Sequence, residues 1–307
     1  MTIATLRPGL QPRLLMCPPR HFAVTYSINP WMDPAQWADG AADLRACAAR
    51  QWTALESALH EAGAAIETVA PREGLPDLVF TANAAVVLDR KALLARFRHP
   101  ERQGEQPVFA AGFRALAARG LLDAVIEPPE YAVLEGAGDC IFDKRRGLFW
   151  LGSGFRSDAA AARLIEDTFG VPCLALTLAD ARHYHLDTAL CALPCGSVIY
   201  FPAAFSAAAL DLLHSHVAPH ERIALGPADA ARFAANAVCV GRTVVLSGCG
   251  ETLRRRLEER GYTVVQTPLN AFMRSGGSAC CLTLRLDHAS EAAGAQSMLA
   301  RRAAGLR

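Results

Sequence analysis

One pattern recurs along the chain and restricts its fold more than any other feature. A polar residue opens a short apolar run, a tight turn follows, a second apolar run returns, and a helical stretch comes after. Asn83 leads into Ala84-Ala85-Val86-Val87-Leu88, with a turn at Asp89-Arg90 and a return at Ala92-Leu93-Leu94. Glu135-Gly136-Ala137-Gly138-Asp139 leads into Cys140-Ile141-Phe142, and Leu148-Phe149-Trp150-Leu151 returns. His185-Leu186-Asp187 and then Asn236 open two further copies, which return at Val198-Ile199-Tyr200-Phe201 and Val244-Val245-Leu246. Helical spacing follows over 108–119, 159–169, 207–216 and 252–260. The period is roughly 50 residues, which signals a propeller or solenoid.

The remaining chain supplies one more copy. Leu14-Leu15-Met16-Cys17 reads as a strand stopped by Pro18-Pro19. Trp37, Ala41, Leu44, Ala48, Trp52, Leu55 and Leu59 predict one helix over 34–62, ended by Gly63. A strand over 66–69 follows. If the first strands pair into the last unit at Cys281, about five units close on one another. The expectation is an α/β propeller forming a single domain over 1–307. Strands opening toward one point place Asn83, Asp139, His185 or Asp187, Asn236 and Cys281 around a central mouth.

Composition narrows the function. The 307 residues are 52% hydrophobic with net charge +1, and no basic run is interleaved with aromatics, which argues against a nucleic-acid partner. The ten cysteines are scattered through apolar runs, as in a reduced intracellular protein. Cys191 and Cys195 have no second pair at zinc spacing, so no metal is expected. Residues 1–8 lack the apolar core of a signal peptide, and no apolar run is long enough to span a bilayer. A cytoplasmic protein with no membrane partner follows. No nucleotide-binding glycine loop appears, so no cofactor is expected.

Near the C-terminus, Arg274-Ser275-Gly276-Gly277-Ser278-Ala279-Cys280-Cys281 combines flexible, small residues with two thiols. Leu282-Thr283-Leu284-Arg285-Leu286 alternates as a strand would, which puts a thiol at a strand mouth beside a loop. A nucleophile suits that place; two small buried core residues are the plainer alternative.

Phe80-Thr81-Ala82-Asn83, Glu135-Gly136-Ala137-Gly138-Asp139, His185-Leu186-Asp187-Thr188 and Gly277-Ser278-Ala279-Cys280-Cys281-Leu282-Thr283 together resemble the amidinotransferase and guanidino-group-modifying superfamily. Within it the chain is similar to bacterial dimethylarginine dimethylaminohydrolases and arginine dihydrolase domains. Ile28-Asn29-Pro30-Trp31-Met32 and Phe97-Arg98-His99-Pro100-Glu101-Arg102 extend the likeness over nearly the whole chain. The resemblance implies the five-bladed α/β propeller (pentein) of ββαβ-type units and a cofactor-free hydrolase of linear amidines. Its substrate would be arginine or an N-methylated arginine, cleaved through a covalent thiouronium to citrulline and an amine.

Each part of that chemistry has a candidate. Cys281-Leu282-Thr283 matches the superfamily's Cys-any-Ser/Thr pattern, whereas Cys280 does not, so Cys281 is the expected nucleophile. His185, in His-x-Asp, would protonate the departing amine and then activate water. Glu135 is assigned to pair with His185 and Asp139 to hold substrate, although either carboxylate suits the catalytic place. Asp77 is a further candidate guanidinium ligand, Asp187 would either orient His185 or bind the substrate, and Arg98 and Arg156 would clasp the substrate carboxylate. Asn83 stands where the dimethylaminohydrolases carry Asp. The arginine dihydrolase domains carry Asn in this setting and proceed to ornithine, carbon dioxide and ammonia, which makes that activity the alternative. An amidinotransferase and a non-catalytic scaffold are the more distant ones. Uncovered apolar strands at a propeller rim would suit a homodimer.

Overall fold

The computed structural model describes residues 11–290; the expectation drawn from residues 1–8 lies outside them. The described residues form a mixed α/β fold containing five three-stranded sheets of one design. In each, a central strand pairs antiparallel with one neighbour and parallel with another, and a helix connects the parallel pair. In the first complete copy Ala85–Leu88 runs antiparallel to Lys91–Leu94 and Ala124–Ile126 runs parallel to it, after the helix Glu105–Ala118. Cys140–Asp143, Leu148–Ser153 and Cys173–Thr177 repeat this around the helix Ala161–Phe169. Leu190–Ala192, Val198–Tyr200 and Arg222–Ala224 repeat it around Ala207–His216. Val238–Val240, Thr243–Leu246 and Thr263–Gln266 repeat it around Glu251–Glu258. A parallel pair needs such a crossover, whereas the antiparallel pair needs only a tight turn. Asp89 and Arg90 both take positive φ (51° and 62°), the geometry a two-residue hairpin requires.

The fifth sheet joins the ends of the described chain. Arg13–Met16 runs parallel to Ala65–Thr68 across the helix Ala41–Glu61, and its antiparallel partner is Leu284–Arg285, with Leu14 opposite Arg285. The strand near the thiols thus supplies what the first unit lacks. Central strands are largely apolar because both their faces are covered: Leu148–Ser153 and Val198–Tyr200 are buried at every position. Cores form between neighbouring units, with Trp150, Leu186, Tyr200 and Val244 in one cluster. No helix among the described residues is long and apolar enough to cross a membrane.

Two expectations need correction. The helix predicted over 34–62 is two helices, Pro34–Ala38 and Ala41–Glu61. Gly40 separates them with φ −130°, an interruption favoured by glycine's low helix propensity. The strand predicted over 282–286 contracts to Leu284–Arg285. Cys281 lies in a turn before it, where Leu282 N–H donates to Ser278 O (3.1 Å) and the Thr283 hydroxyl folds back to Cys280 O (3.1 Å). Side-chain hydroxyls compete in this way with the strand ladder. The polar residues that open the repeats also sit in single turns, at Thr81–Ala84, Gly136–Asp139 and Leu186–Thr188. These turns pack on one another, which brings residues distant in sequence to one place.

Candidate active site

A narrow cavity is lined by Asn83 from the first of these turns, by His185 just ahead of the third, and by residues of the segments 28–29 and 275–281. Cys281 and His185 both open onto it, together with Asp77, Asn83, Arg102, Arg156 and Tyr184. Cys280 does not; it packs against the core.

The Cys281 thiol is held on two sides. It donates to Asp187 Oδ2 (3.1 Å) and accepts from Asn236 Nδ2 (3.0 Å). Asn236 also takes the Cys281 N–H on its Oδ1 (3.2 Å), so one amide grips backbone and sulfur together. A second contact, from Asn236 Nδ2 to Asp187 O (3.0 Å), ties the three residues into one unit. Burial pushes the Cys281 thiol well above its ordinary pKa, and the adjacent Asp187 charge adds to the rise. Burial pushes Asp187 itself up to about 7, against the hydrogen bonds it accepts. Burial and the Asp187 charge both favour the neutral thiol. Asp187 Oδ1 is buried without a hydrogen-bond partner, a costly state that a cationic donor would relieve.

His185 faces the same cavity with its Nε2 committed to Glu135 Oε2 at 2.7 Å. Burial pushes the imidazole down to about 4 even though Glu135 pulls the other way. Burial alone would raise the Glu135 pKa, but the Arg156 charge and the His185 contact hold it well below the usual carboxylate range. Arg156 donates to Glu135 Oε2 (3.0 Å), and Arg98 N–H donates to Oε1 (3.1 Å). The result is a fixed carboxylate behind a neutral imidazole, ready to stabilise positive charge as it appears. His183 points elsewhere: its Nδ1 meets Thr188 O (3.1 Å) and its ring packs on Phe201.

Asp77 accepts from the Tyr26 hydroxyl (2.8 Å) and the Ser275 hydroxyl (3.0 Å). Burial raises its pKa, and the charges of Arg102 and Arg156 oppose the rise. Asn83 is fixed at both ends, with Oδ1 accepting from Arg102 Nη1 (2.9 Å) and Nδ2 donating to Glu135 O (3.3 Å). A Cβ at Gly138 would lie 2.1 Å from Asn83 Nδ2, so only glycine lets that turn close over the amide.

Three residues expected to meet substrate are absent from the cavity lining: Asp187, which contacts the Cys281 thiol, Asp139 and Arg98. Both oxygens of Asp139 are occupied, by the Ser157 hydroxyl (2.6 Å) and Leu186 N–H (3.1 Å), and the residue does not line the cavity. It braces the turn that follows His185. Arg98 donates from Nε to Arg156 O (2.9 Å), pairs with Asp158 at the surface, and is likewise absent from the lining. Arg102, which sequence reasoning passed over, takes the inward place. It is buried and held as a fork by Glu105, with Nε to Oε1 at 2.8 Å and Nη2 to Oε2 at 2.7 Å. An Arg and a Glu three apart on a helical stretch look like a solvated surface pair in sequence, which is why this one carried no signal. Asn236 stood out only as the opener of a repeat, with no sign of its grip on the thiol. No cluster of three or more metal-ligating side chains occurs among the described residues.

Comparison with known proteins identifies the family. The chain matches the family model of eukaryotic N,N-dimethylarginine dimethylhydrolase over residues 25–287. It is 41% identical over 274 residues to the bifunctional arginine dihydrolase/ornithine cyclodeaminase AgrE of a Nostoc species, a match covering 89% of this chain and 38% of that protein. The chain thus spans well under half the length of that relative. It is 37% identical to the N(G),N(G)-dimethylarginine dimethylaminohydrolase of Mycobacterium tuberculosis, covering 89% of this chain and 85% of that one. The substrate-bound N-terminal domain of the cyanobacterial arginine dihydrolase ArgZ superposes with TM-score 0.84 at 38% identity, over 91% of this chain and 99% of that domain. The chain therefore belongs to the dimethylarginine dimethylhydrolase family, hydrolases of guanidino carbon–nitrogen bonds.

Proposed function

We propose that the chain is an arginine dihydrolase, which attacks the guanidino carbon with Cys281 and proceeds through two rounds to ornithine, carbon dioxide and ammonia. In the same reading its five sheets form the blades of a propeller around the site. The observation that carries the substrate assignment is Asn83, a neutral amide at the cavity wall held by Arg102 and by the Glu135 carbonyl. A carboxylate there would favour the cation alone. An amide also tolerates the neutral ureido group left after the first round. The bifunctional relative at 41% identity is named for arginine dihydrolase activity, which supports the same choice.

The steps follow from the charges. A guanidinium entering beside Asp187 and Cys281 offsets the burial that keeps the thiol protonated, so the thiolate forms only with substrate present. The proton passes to His185, whose imidazolium is stabilised by Glu135. Sulfur adds to the guanidino carbon, one C–N bond breaks, and His185 returns the proton to the departing ammonia. Water then adds to the thiouronium, gives a proton to His185, and displaces the sulfur to yield the ureido compound. A second addition and hydrolysis release another ammonia and a carbamate, which loses carbon dioxide. Arg102 and Arg156 supply cations for the substrate carboxylate in place of Arg98, and Asp77 supplies an anion for its α-ammonium.

A second reading, hydrolysis of dimethylarginine to citrulline and dimethylamine, is favoured by the matched family and by the Mycobacterium tuberculosis relative. Mass spectrometry of products from arginine and from asymmetric dimethylarginine, supplied separately, decides between them. Ornithine with two equivalents of ammonia from arginine, abolished in Cys281→Ser, is the expected result. Citrulline as the end product refutes the second round. Dimethylamine release with arginine untouched replaces the proposal by the second reading.

A further inference from the structure

A second cavity, about 320 Å³ in volume, is lined in part by Phe97. That volume is within the range of small-molecule sites. Leu94, Phe97, Phe109 and Ala110 give it an apolar wall. Its polar groups are of one dominant sign. Arg96 lines it, with one guanidinium nitrogen bound to Pro128 O (3.2 Å) and its Nε buried without a partner. Arg114 and Glu127 also line it and pair with each other at the exposed rim. The charged lining thus sums to one positive charge.

We propose that this cavity is a binding site for a small amphipathic monocarboxylate, whose apolar body lies on Phe97 and Phe109 and whose carboxylate meets Arg96. The occupant would not be a substrate, because no nucleophile or titratable acid other than Glu127 lines the cavity. It would, however, touch the supports of the catalytic amide. The Arg102 guanidinium lies 4.5 Å from the centre of the Phe97 ring and donates to Asn83. Gln106, also in the lining, accepts the Phe97 N–H (3.0 Å) and follows Glu105, which forks Arg102. Ala84 in the lining follows Asn83 directly. A ligand that shifts Phe97 therefore shifts Arg102 and Asn83 together. This coupling rests on the reading of Asn83 as a substrate-facing group; the binding itself does not.

The probe is hexanoate, titrated calorimetrically into the full chain, with hexylammonium as its charge-reversed control. Binding of one hexanoate per chain and none of hexylammonium is expected. Arg96→Met, which removes the cation and keeps the bulk, should weaken hexanoate by about tenfold, as loss of a charge-assisted contact does. Ala110→Trp, which fills the space, should abolish binding. Equal binding of both probes, or hexanoate binding retained in Ala110→Trp, overturns the proposal. So does binding that vanishes as protein concentration rises, which would make this face the seat of a second copy. Arginine titrated into Cys281→Ser with and without hexanoate tests the coupling, and an unchanged affinity refutes it. If arginine itself does not bind, the dihydrolase reading fails while the hexanoate result stands.

Discussion

Glu135→Gln isolates the charge behind His185 with almost no change of shape. Glu135 Oε2 stands 2.7 Å from His185 Nε2 and 3.0 Å from an Arg156 nitrogen, and the carboxylate is fully buried. A charge pair with centres about 4 Å apart is worth about 4 kcal/mol at the effective dielectric that describes protein sites. That energy acts only when His185 is protonated, which happens after the thiol has given up its proton. Because every 1.4 kcal/mol is a factor of ten and the amide retains a hydrogen bond, kcat should fall by roughly 10²–10³. KM should change far less, since the carboxylate does not line the cavity. The substitution also leaves the buried Arg156 without its anion, a situation that costs about 3 kcal/mol in comparable pairs. Steady-state kinetics on arginine, read beside a thermal melt, separates the two effects. A folded variant with kcat within about threefold of the parent would refute the role of Glu135, since one pair at this dielectric predicts far more.

Three further outcomes follow from the same geometry. Because burial raises the Cys281 thiol, its alkylation by neutral iodoacetamide should increase about tenfold per pH unit up to pH ~9 without a plateau, while cationic chloroacetamidine should react much faster at pH ~7. A plateau below pH ~8 would mean a preformed thiolate and contradict activation by the substrate cation. Arg98→Ala should change kcat and KM by less than about threefold, as expected of a surface pair, whereas Arg102→Lys, which cannot fork Glu105 and reach Asn83 together, should raise KM by about tenfold or more. Gly138→Ala should displace the Asn83 amide that lies 2.1 Å from the added carbon, costing about 1–3 kcal/mol of stability and lowering kcat/KM at least as much as Asn83→Ala, both measurable by melt and initial rates.

Much of the architecture was legible in the sequence because it is written in local periodicity. The hairpin turn at Asp89-Arg90, the alternation of apolar runs with helical spacing, and the glycine after Ala62 each express the conformational preferences of a few adjacent residues. Repetition of one unit then limited the ways in which those elements could assemble. Cys281, His185 and Glu135 stand out as candidates because each carries a distinctive chemistry inside a short motif, and the fold brings the three motifs together. Asp139 and Arg98, which lie away from the cavity, differ from them in one respect: their side chains had two nearby destinations, and local sequence does not choose between them. Ser157 and Leu186 drew Asp139 into the wall, and Asp158 drew Arg98 to the surface. Arg102 turned inward because Glu105 and Asn83 together satisfy a cation that burial would otherwise penalise. The sequence by itself determined the repeating unit and the reactive groups. Tertiary structure alone decided which arginine faces the cavity, how Asn236 holds the sulfur, and how far burial raises the thiol, because burial and pairing are properties of neighbours that meet only when the repeats pack together.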